Sequence, residues 1–556
     1  MIKENFIRLF ESSIKANWDL PAMTDYIESY TMTYGDVGTE VARLHLLFEQ
    51  LGVKHGQKIS LIGKNGCHWC VVYIATVTYG CVIVPILQDF SPNNVQHIVN
   101  HSDSEFLFVS DHIWDTLDES RLESLRGVFS LNDFRCLYQR DGETIQKTLR
   151  TLPKLFVQKY PGGFTAAHVL YPTIPNTEQA CLSYTSGTTG FSKGVMLSGN
   201  NLAGNIAFGI GTRLLERYSH VLAFLPLAHT YGCTFDFLTA ICVGAHVTFL
   251  GKIPSPKILF KAFAEVKPTC IFMVPLIMEK IYRKQILPML DHRSMRFGLS
   301  IPIIENTILG TIRKRLTTAL GDSFVEVIIG GAPLNPEVED FLHKIGFHFT
   351  VGYGMTECAP LISYAPWNKF VPTSVGKALP GMAVKIASKD PYNEPGEILV
   401  KGEHVMMGYY KNEEATREVF DAEGWLHTGD IGTFDHDNNI YVRGRCKSML
   451  LGPSGQNIYP EEIEAKLNNM PFVMESLVLQ NADNKLVAFV YPDYEAVDEA
   501  KLSMKDLELV MNENRKRLNA QMAAYENIVN ICFYPNEFEK TPKRSIKRYL
   551  YVNLLK

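Results

Sequence analysis

The sequence lacks a surplus of charge of either sign. Its 54 lysines and arginines stand against 59 aspartates and glutamates, a net charge of −5. A general nucleic-acid binder gains its affinity by neutralising phosphates and needs a basic excess, so that class is not expected. Paired cysteine motifs are missing too. The 11 cysteines are scattered from Cys67 to Cys532, and Cys67 and Cys70 in CHWC have CxxC spacing without a second CxxC or a zinc-finger His pair. Inert packing thiols in a reducing compartment fit this usage better than a zinc or redox site. The N-terminal stretch MIKENFIRLFESSIKANW carries charges throughout and no apolar signal core. Secretion is therefore not expected, and a cytoplasmic location is. Internal repeats and long low-complexity linkers are absent as well.

One uncharged run, Cys70 to Gln88, is about long enough to span a bilayer. Gly80 and Pro85 punctuate it and β-branched residues dominate CVIVPI, so it reads as a buried helix running into a buried parallel strand. No transmembrane segment is expected, and at most peripheral membrane contact.

What is present is a large soluble chain. Its 556 residues, 46% hydrophobic and 20% charged, call for two or more domains with a sizeable core. QKISLIG, CVIVPIL, EFLFVSD, HVTFLG, TCIFMVP and VEVIIGG read as short strands separated by helical patterns, the signature of an α/β parallel sheet. From Gly376 to Tyr410, SVGKALPGMAVKI and GEILVKG alternate between Gly and Pro turns, which predicts antiparallel strands in a small barrel or a separate sheet. Beyond GRCKSMLLG, PEEIEAKLNNM has a proline-started, acid-first helix signature, and SLVLQNADNKLVAFVYP reads as a hairpin. The expected fold is α/β. A large N-terminal domain of helix-flanked β-sheets plus a small antiparallel or barrel-like subdomain (residues 1–446) precedes a small mobile α+β C-terminal domain (residues 447–556).

The strongest chemical signal is LSYTSGTTGFSKGVMLS, Leu182 to Ser198. Glycines let backbone N–H groups approach an anion, hydroxyls add donors and a lysine adds charge, so the loop suits a phosphate. It is not the Walker loop, whose glycine spacing differs. Alone, such a loop is equally a flexible turn.

It does not stand alone. YTSGTTGFSKGV closely resembles the phosphate-loop signature of the adenylate-forming enzymes: acyl-CoA synthetases, peptide-synthetase adenylation domains and luciferases. LPLAHTYG (Leu225 to Gly232) resembles their substrate-pocket segment. GGAPL (Gly330 to Leu334) and GYGMTE (Gly352 to Glu357) resemble their adenine segments. WLHTGD (Trp425 to Asp430) resembles the ribose motif, and GRCKSMLLGPSGQNIYPEEIE resembles the hinge and first C-domain segment. These matches run in family order along nearly the whole chain.

The resemblance implies ATP, Mg²⁺ and coenzyme A as partners, together with a carboxylate substrate, and it assigns roles. Thr185, Ser186, Gly187, Thr188, Thr189, Gly190 and Lys193 would grip the phosphates. Gly331, Ala332, Pro333, Tyr353, Gly354 and Thr356 would line the adenine. Glu357 would ligate the Mg²⁺ that bridges the phosphates, with Thr185 beside it, as a hard cation prefers oxygen ligands. Asp430 would accept from the ribose hydroxyls, assisted by Arg445. Lys447 would form the hinge, and Gly455 would leave room beside the pantetheine path. His229 would border the carboxylate; read alone, a histidine in an apolar run is more often a core residue. The implied reaction is adenylation of a carboxylate, domain rotation, then transfer to a thiol.

GRCKSMLLGPSGQNIYPEEIE lies nearest to medium- and long-chain fatty acid–CoA ligases, and the pocket stretch carries no charge before Asp236. A free-standing fatty acid–CoA ligase is the expectation, with no fused carrier domain. An acyl-ACP ligase or an aryl or bile acid–CoA ligase are the alternatives. The tail KTPKRSIKRYLY, Lys540 to Tyr551, departs from the family pattern of roughly KTPTGKIKR. Ser545 occupies the position of the lysine that reaches the carboxylate and α-phosphate. That change raises a further alternative, a catalytically weakened nucleotide-binding relative. In an extended segment Lys543 and Lys547 would flank Ser545 on one face, each about 6.6 Å away, so either is a candidate catalytic lysine.

Overall fold

The computed structural model describes residues 2–140, 142–185, 193–252, 255–291, 301–452, 456–540 and 546–555. The uncharged run starts in helix α1 (Cys67–Tyr79), which follows strand β1 (Lys58–Ile62). Gly80 closes the helix at φ +90°, a left-handed conformation that glycine adopts without strain, and the chain re-enters as β2 (Val82–Ile86). Each residue of β2 is buried, as expected for a strand covered on both faces. β3 (Ser104–Val109), β4 (Gly127–Ser130) and β5 (Cys136–Gln139) follow, then β6 (Gln179–Thr185), β7 (Lys193–Ser198) and helix α2 (Gly199–Thr212). Ser198 caps α2 through a capping box with Asn201.

A second sheet holds β8 (Cys270–Met273), β9 (Glu326–Ile329) and β10 (Phe349–Val351), all parallel. The short strand β11 (Gly408–Tyr409) returns to the first sheet. Among the described residues that sheet has eight strands in the order β11-β7-β6-β2-β1-β3-β4-β5. Its centre is parallel and its edges antiparallel. The expected strand HVTFLG lies in neither of these. His246–Phe249 pairs with Pro21–Asp25 and His220–Ala223 in a separate four-stranded sheet.

The glycine- and proline-punctuated region forms antiparallel strands. Met382–Ala387, Gly396–Gly402, β12 (Leu426–Phe434) and β13 (Ile440–Arg445) make one sheet in that order. Among the described residues it is open, a separate sheet rather than a closed barrel. Beyond it come α3 (Pro460–Leu467) and the hairpin β14 (Val473–Gln480) and β15 (Leu486–Pro492). A third strand, β16 (Ile528–Phe533), pairs parallel to β15 and is built from a stretch not singled out as a strand above.

Two core clusters serve the sheets up to Ile440, and two others lie wholly between Ile458 and Tyr551. The C-terminal unit touches the rest through the Tyr459 ring, which packs beside Gly444 of β13, and through polar bonds. Arg283 donates to the Asn468 carbonyl at 2.7 Å, and Asn469 donates to Asn335 Oδ1 at 2.9 Å. All 11 cysteines are free thiols. Among the described residues no helix is long and apolar enough to cross a membrane.

Asp236 is the main inconsistency in this core. It sits wholly buried in the π-helical turn Cys233–Thr239, and among the described residues neither carboxyl oxygen has a hydrogen-bond partner. Burial pushes its carboxyl well above the usual range, so the folded protein holds a proton that the unfolded chain releases. Stability from this group is present below the unfolded value near 4 and is lost as pH rises. Asp236→Leu therefore has a higher urea midpoint than the parent at neutral pH, and the gap narrows as pH falls towards 4. A gap independent of pH would refute this.

Candidate functional site

The site lies where β6, β7, the loop after β9, the segment after β10 and the β12–β13 ladder converge. Thr185 ends β6 and pairs in register with Lys193, which opens β7. Ser186, Gly187, Thr188, Thr189 and Gly190, between them, lie outside the described residues. The two strands thus deliver a hydroxyl and an ammonium to the two ends of the candidate phosphate loop. The Lys193 ammonium stands 4.8 Å from the centroid of the Tyr409 ring.

Glu357 occupies a single turn, Thr356–Cys358, and is buried together with Thr356. Three neighbours hold that turn. Asn205 of α2 donates to the Cys358 carbonyl at 3.1 Å and accepts the Leu361 N–H at 3.0 Å. Thr234 donates to the Ala359 carbonyl at 3.2 Å, and the Met406 N–H donates to the Glu357 carbonyl at 2.8 Å. The carboxylate accepts from the Tyr409 hydroxyl at 2.9 Å. A carboxylate and a hydroxyl such as Thr185 offer the hard oxygens that Mg²⁺ takes, so the donor set fits that ion.

Asp430 and Arg445 are cross-strand partners on β12 and β13. The Arg445 Nε lies 2.7 Å from Asp430 Oδ1, and the Tyr353 hydroxyl donates to Oδ2 at 2.7 Å. Burial first, and then the Asp430 charge, push the Tyr353 phenol up, so it stays a donor. Asp430 is buried while Arg445 is mostly exposed, so the carboxylate is anchored between the guanidinium and the phenol. Gly331 (φ +91°), Ala332 and Pro333 form an exposed loop after β9. A side chain at Gly354 would meet the Pro360 carbonyl at 2.2 Å, so the backbone there is packed as closely as only glycine allows.

Three of these residues, Gly331, Gly354 and Arg445, border a cavity of about 990 Å³, its open mouth included. Phe208, Leu215, Tyr231, Phe235, Phe272 and Tyr364 wall it. His229 lines it too, with Nδ1 accepting the Tyr231 N–H at 3.3 Å. Arg445 is the one permanent charge among the described lining residues. Phe208, Phe272 and Tyr364 were not singled out in the sequence, because no local motif marks residues that meet only across α2, β8 and the segment after β10.

The remaining candidates lie elsewhere. Lys447 is exposed in the turn between β13 and the strand Leu450–Leu451. Lys547 donates to Glu539 at 3.4 Å, and Arg548 pairs with Glu464 and, at 3.5 Å, with Glu461, all within the C-terminal unit. Lys543, Ser545 and Gly455 lie outside the described residues.

The Asp430 cluster gives a direct test. Asp430→Asn keeps the shape, removes the charge facing Arg445 and halves the acceptor capacity. AMP binding measured by calorimetry is expected to weaken at least tenfold, with the unfolding midpoint little changed. Unchanged affinity would remove Asp430 from the site.

Comparison with known proteins agrees with the geometry. The family model described as AMP-binding enzyme matches residues 10–410. A long-chain-fatty-acid–CoA ligase of Mycobacterium bovis is 27% identical, the match covering 93% of this chain and 90% of the relative. The peroxisomal long chain acyl-CoA synthetase 7 of Arabidopsis thaliana is 30% identical over 84% of this chain and 69% of its own. The crystal structure of ATP-bound MatB from Rhodopseudomonas palustris superposes with a TM-score of 0.77 at 22% identity, covering 100% of both chains. An anthranilate CoA ligase in complex with anthranoyl-AMP gives the same score at 19% identity, over 100% of this chain and 97% of the other; these structural likenesses bear on the fold. With the family model matching most of its length and an apolar cavity bordered by Arg445, the partner of Asp430, the chain belongs to the AMP-binding enzyme family and is an adenylate-forming acyl-CoA synthetase, an AMP-forming acid–thiol ligase.

Proposed function

We propose that the protein activates a medium- or long-chain fatty acid with MgATP and passes the acyl group to coenzyme A. The observation that carries this reading is the cavity, whose walls are aromatic and aliphatic and which Arg445 and the glycines also border. An acyl tail matches the walls. No acid lines the cavity among the described residues to meet a substrate ammonium, which argues against an amino acid. The printed names of the sequence relatives, long-chain fatty acid–CoA ligases, point the same way.

In the first half-reaction a carboxylate oxygen attacks the α-phosphorus of ATP and pyrophosphate leaves. In the second, the coenzyme A sulfur attacks the acyl carbon and AMP leaves. Thr185, Lys193 and the loop between them would hold the phosphates, and Glu357 with Thr185 would supply oxygens to the metal. Mg²⁺ neutralises phosphate charge when bound. Asp430, steadied by Tyr353 and Arg445, would accept the ribose hydroxyls, and Gly331, Ala332, Pro333 and Tyr353 would border the adenine. His229 would face the substrate carboxylate. The exposed turn at Lys447 would serve as the hinge between residues 1–446 and 447–556, which turns one face of the C-terminal domain after the other towards the site. Free thiols throughout suit work in the reducing cytosol.

The tail supplies the remaining charge in this reading, through Lys543 or Lys547 in place of Ser545. ATP–pyrophosphate exchange across saturated fatty acids tests it. The parent exchanges with medium or long chains, and one of Lys543→Ala and Lys547→Ala loses about a hundredfold, while Ser545→Lys restores activity to that variant. Exchange at background with every acid would favour the weakened nucleotide-binding relative. Loss in neither alanine variant would overturn the lysine assignment. Product release with coenzyme A against acyl carrier protein decides the acceptor.

A further inference from the structure

Tyr409 touches both halves of the phosphate side of the site. Its hydroxyl donates to Glu357 Oε1 at 2.9 Å, and the Lys193 ammonium lies over its ring at 4.8 Å. Its backbone is fixed from two directions. β11 pairs antiparallel with β7, Tyr409 opposite Val195, and the next residue's N–H donates to the Gly194 carbonyl at 2.8 Å. On the other side the Tyr409 N–H donates to Thr416 Oγ1 at 2.9 Å. The side chain is buried, so its hydroxyl direction is set by packing rather than by solvent.

We infer that Tyr409 is a positioning residue, which fixes the rotation of the Glu357 carboxylate so that its second oxygen faces the metal, and which holds Lys193 beside the loop until a phosphate takes it. The inference rests on the reading of Glu357 and Lys193 given above. A donor on one carboxylate oxygen limits how the group can turn and leaves the other oxygen for a ligand. An ammonium over a tyrosine face is held more weakly than one paired with a phosphate, so the lysine can be exchanged when nucleotide binds. The same strand thus reaches the two functional groups from β11, a place that neither the loop motif nor the GYGMTE motif includes.

The test uses the full chain with a non-hydrolysable ATP analogue and Mn²⁺ as the metal probe, read by electron paramagnetic resonance. Tyr409→Phe removes only the hydroxyl. It is expected to weaken Mn²⁺ affinity of the nucleotide-bound protein by about tenfold and to raise the Mg²⁺ half-saturation of pyrophosphate exchange by a similar factor. Exchange at saturating metal and the unfolding midpoint stay near the parent values. Glu357→Gln sets the scale of a lost ligand. A shift in Glu357→Gln with none in Tyr409→Phe overturns the inference and leaves the reading of Glu357 standing. No shift in either variant sinks both. Tyr409→Leu also removes the ring under Lys193 and is expected to weaken metal-free nucleotide binding several-fold beyond Tyr409→Phe. Equal metal-free affinities in the two variants would overturn the lysine half.

Discussion

Asn205, wholly buried on α2, grips the Glu357 turn from both sides, donating to the Cys358 carbonyl and accepting the Leu361 N–H. An amide can do both at once, which no shorter or purely accepting side chain in that place could. The clamp ties the helix that follows the phosphate-loop strands to the segment that carries the acidic residue. Because α2 begins directly after β7, the capping box at Ser198, the Lys193 strand and the Glu357 turn form one mechanical unit. The positions of the Lys193 strand, the acid and the cavity wall all depend on it, since Phe208 and Gly209 of the same helix line the cavity.

The described candidate residues up to Arg445 are mounted on sheets and on segments hydrogen-bonded to them. Glu357, Thr356 and Asp430 are buried and hydrogen-bonded, the arrangement that holds reacting groups in register, while Arg445 and the loop of Gly331, Ala332 and Pro333 are exposed. The C-terminal unit has its own two cores and meets the rest through side-chain amides, a guanidinium and exposed ion pairs. Bonds of that kind exchange readily with water at modest net cost.

Polar groups at the cavity are handled unevenly, and the pattern makes chemical sense. Tyr231 donates to the Ile328 carbonyl at 2.9 Å and Tyr364 donates to the buried Glu326 at 2.6 Å, so both rings can face an apolar ligand with their hydroxyls satisfied behind them. Burial raises the Glu326 carboxyl to about 7. Asp236, one residue beyond the lining Phe235, has no comparable partner among the described residues.

The sequence by itself determined the order of the nucleotide motifs, the parallel strand after α1 and the hairpin of the C-terminal unit. Each of these is local, resting on hydrophobic period, a turn residue or a contiguous loop chemistry. It also named Glu357, Asp430, Arg445, Tyr353 and Lys193, but only as separate residues within separate motifs. The tertiary structure decided which of them meet. Tyr353 and Asp430 come together because the segment after β10 crosses the β12–β13 ladder, and Tyr409 reaches Glu357 because a two-residue strand joins a distant sheet edge. It likewise decided that the HVTFLG strand leaves the main sheet and that the cavity is walled by residues from elements far apart in the chain. Such contacts have no sequence period, because they are fixed by how whole layers pack and not by the spacing of neighbours along the chain.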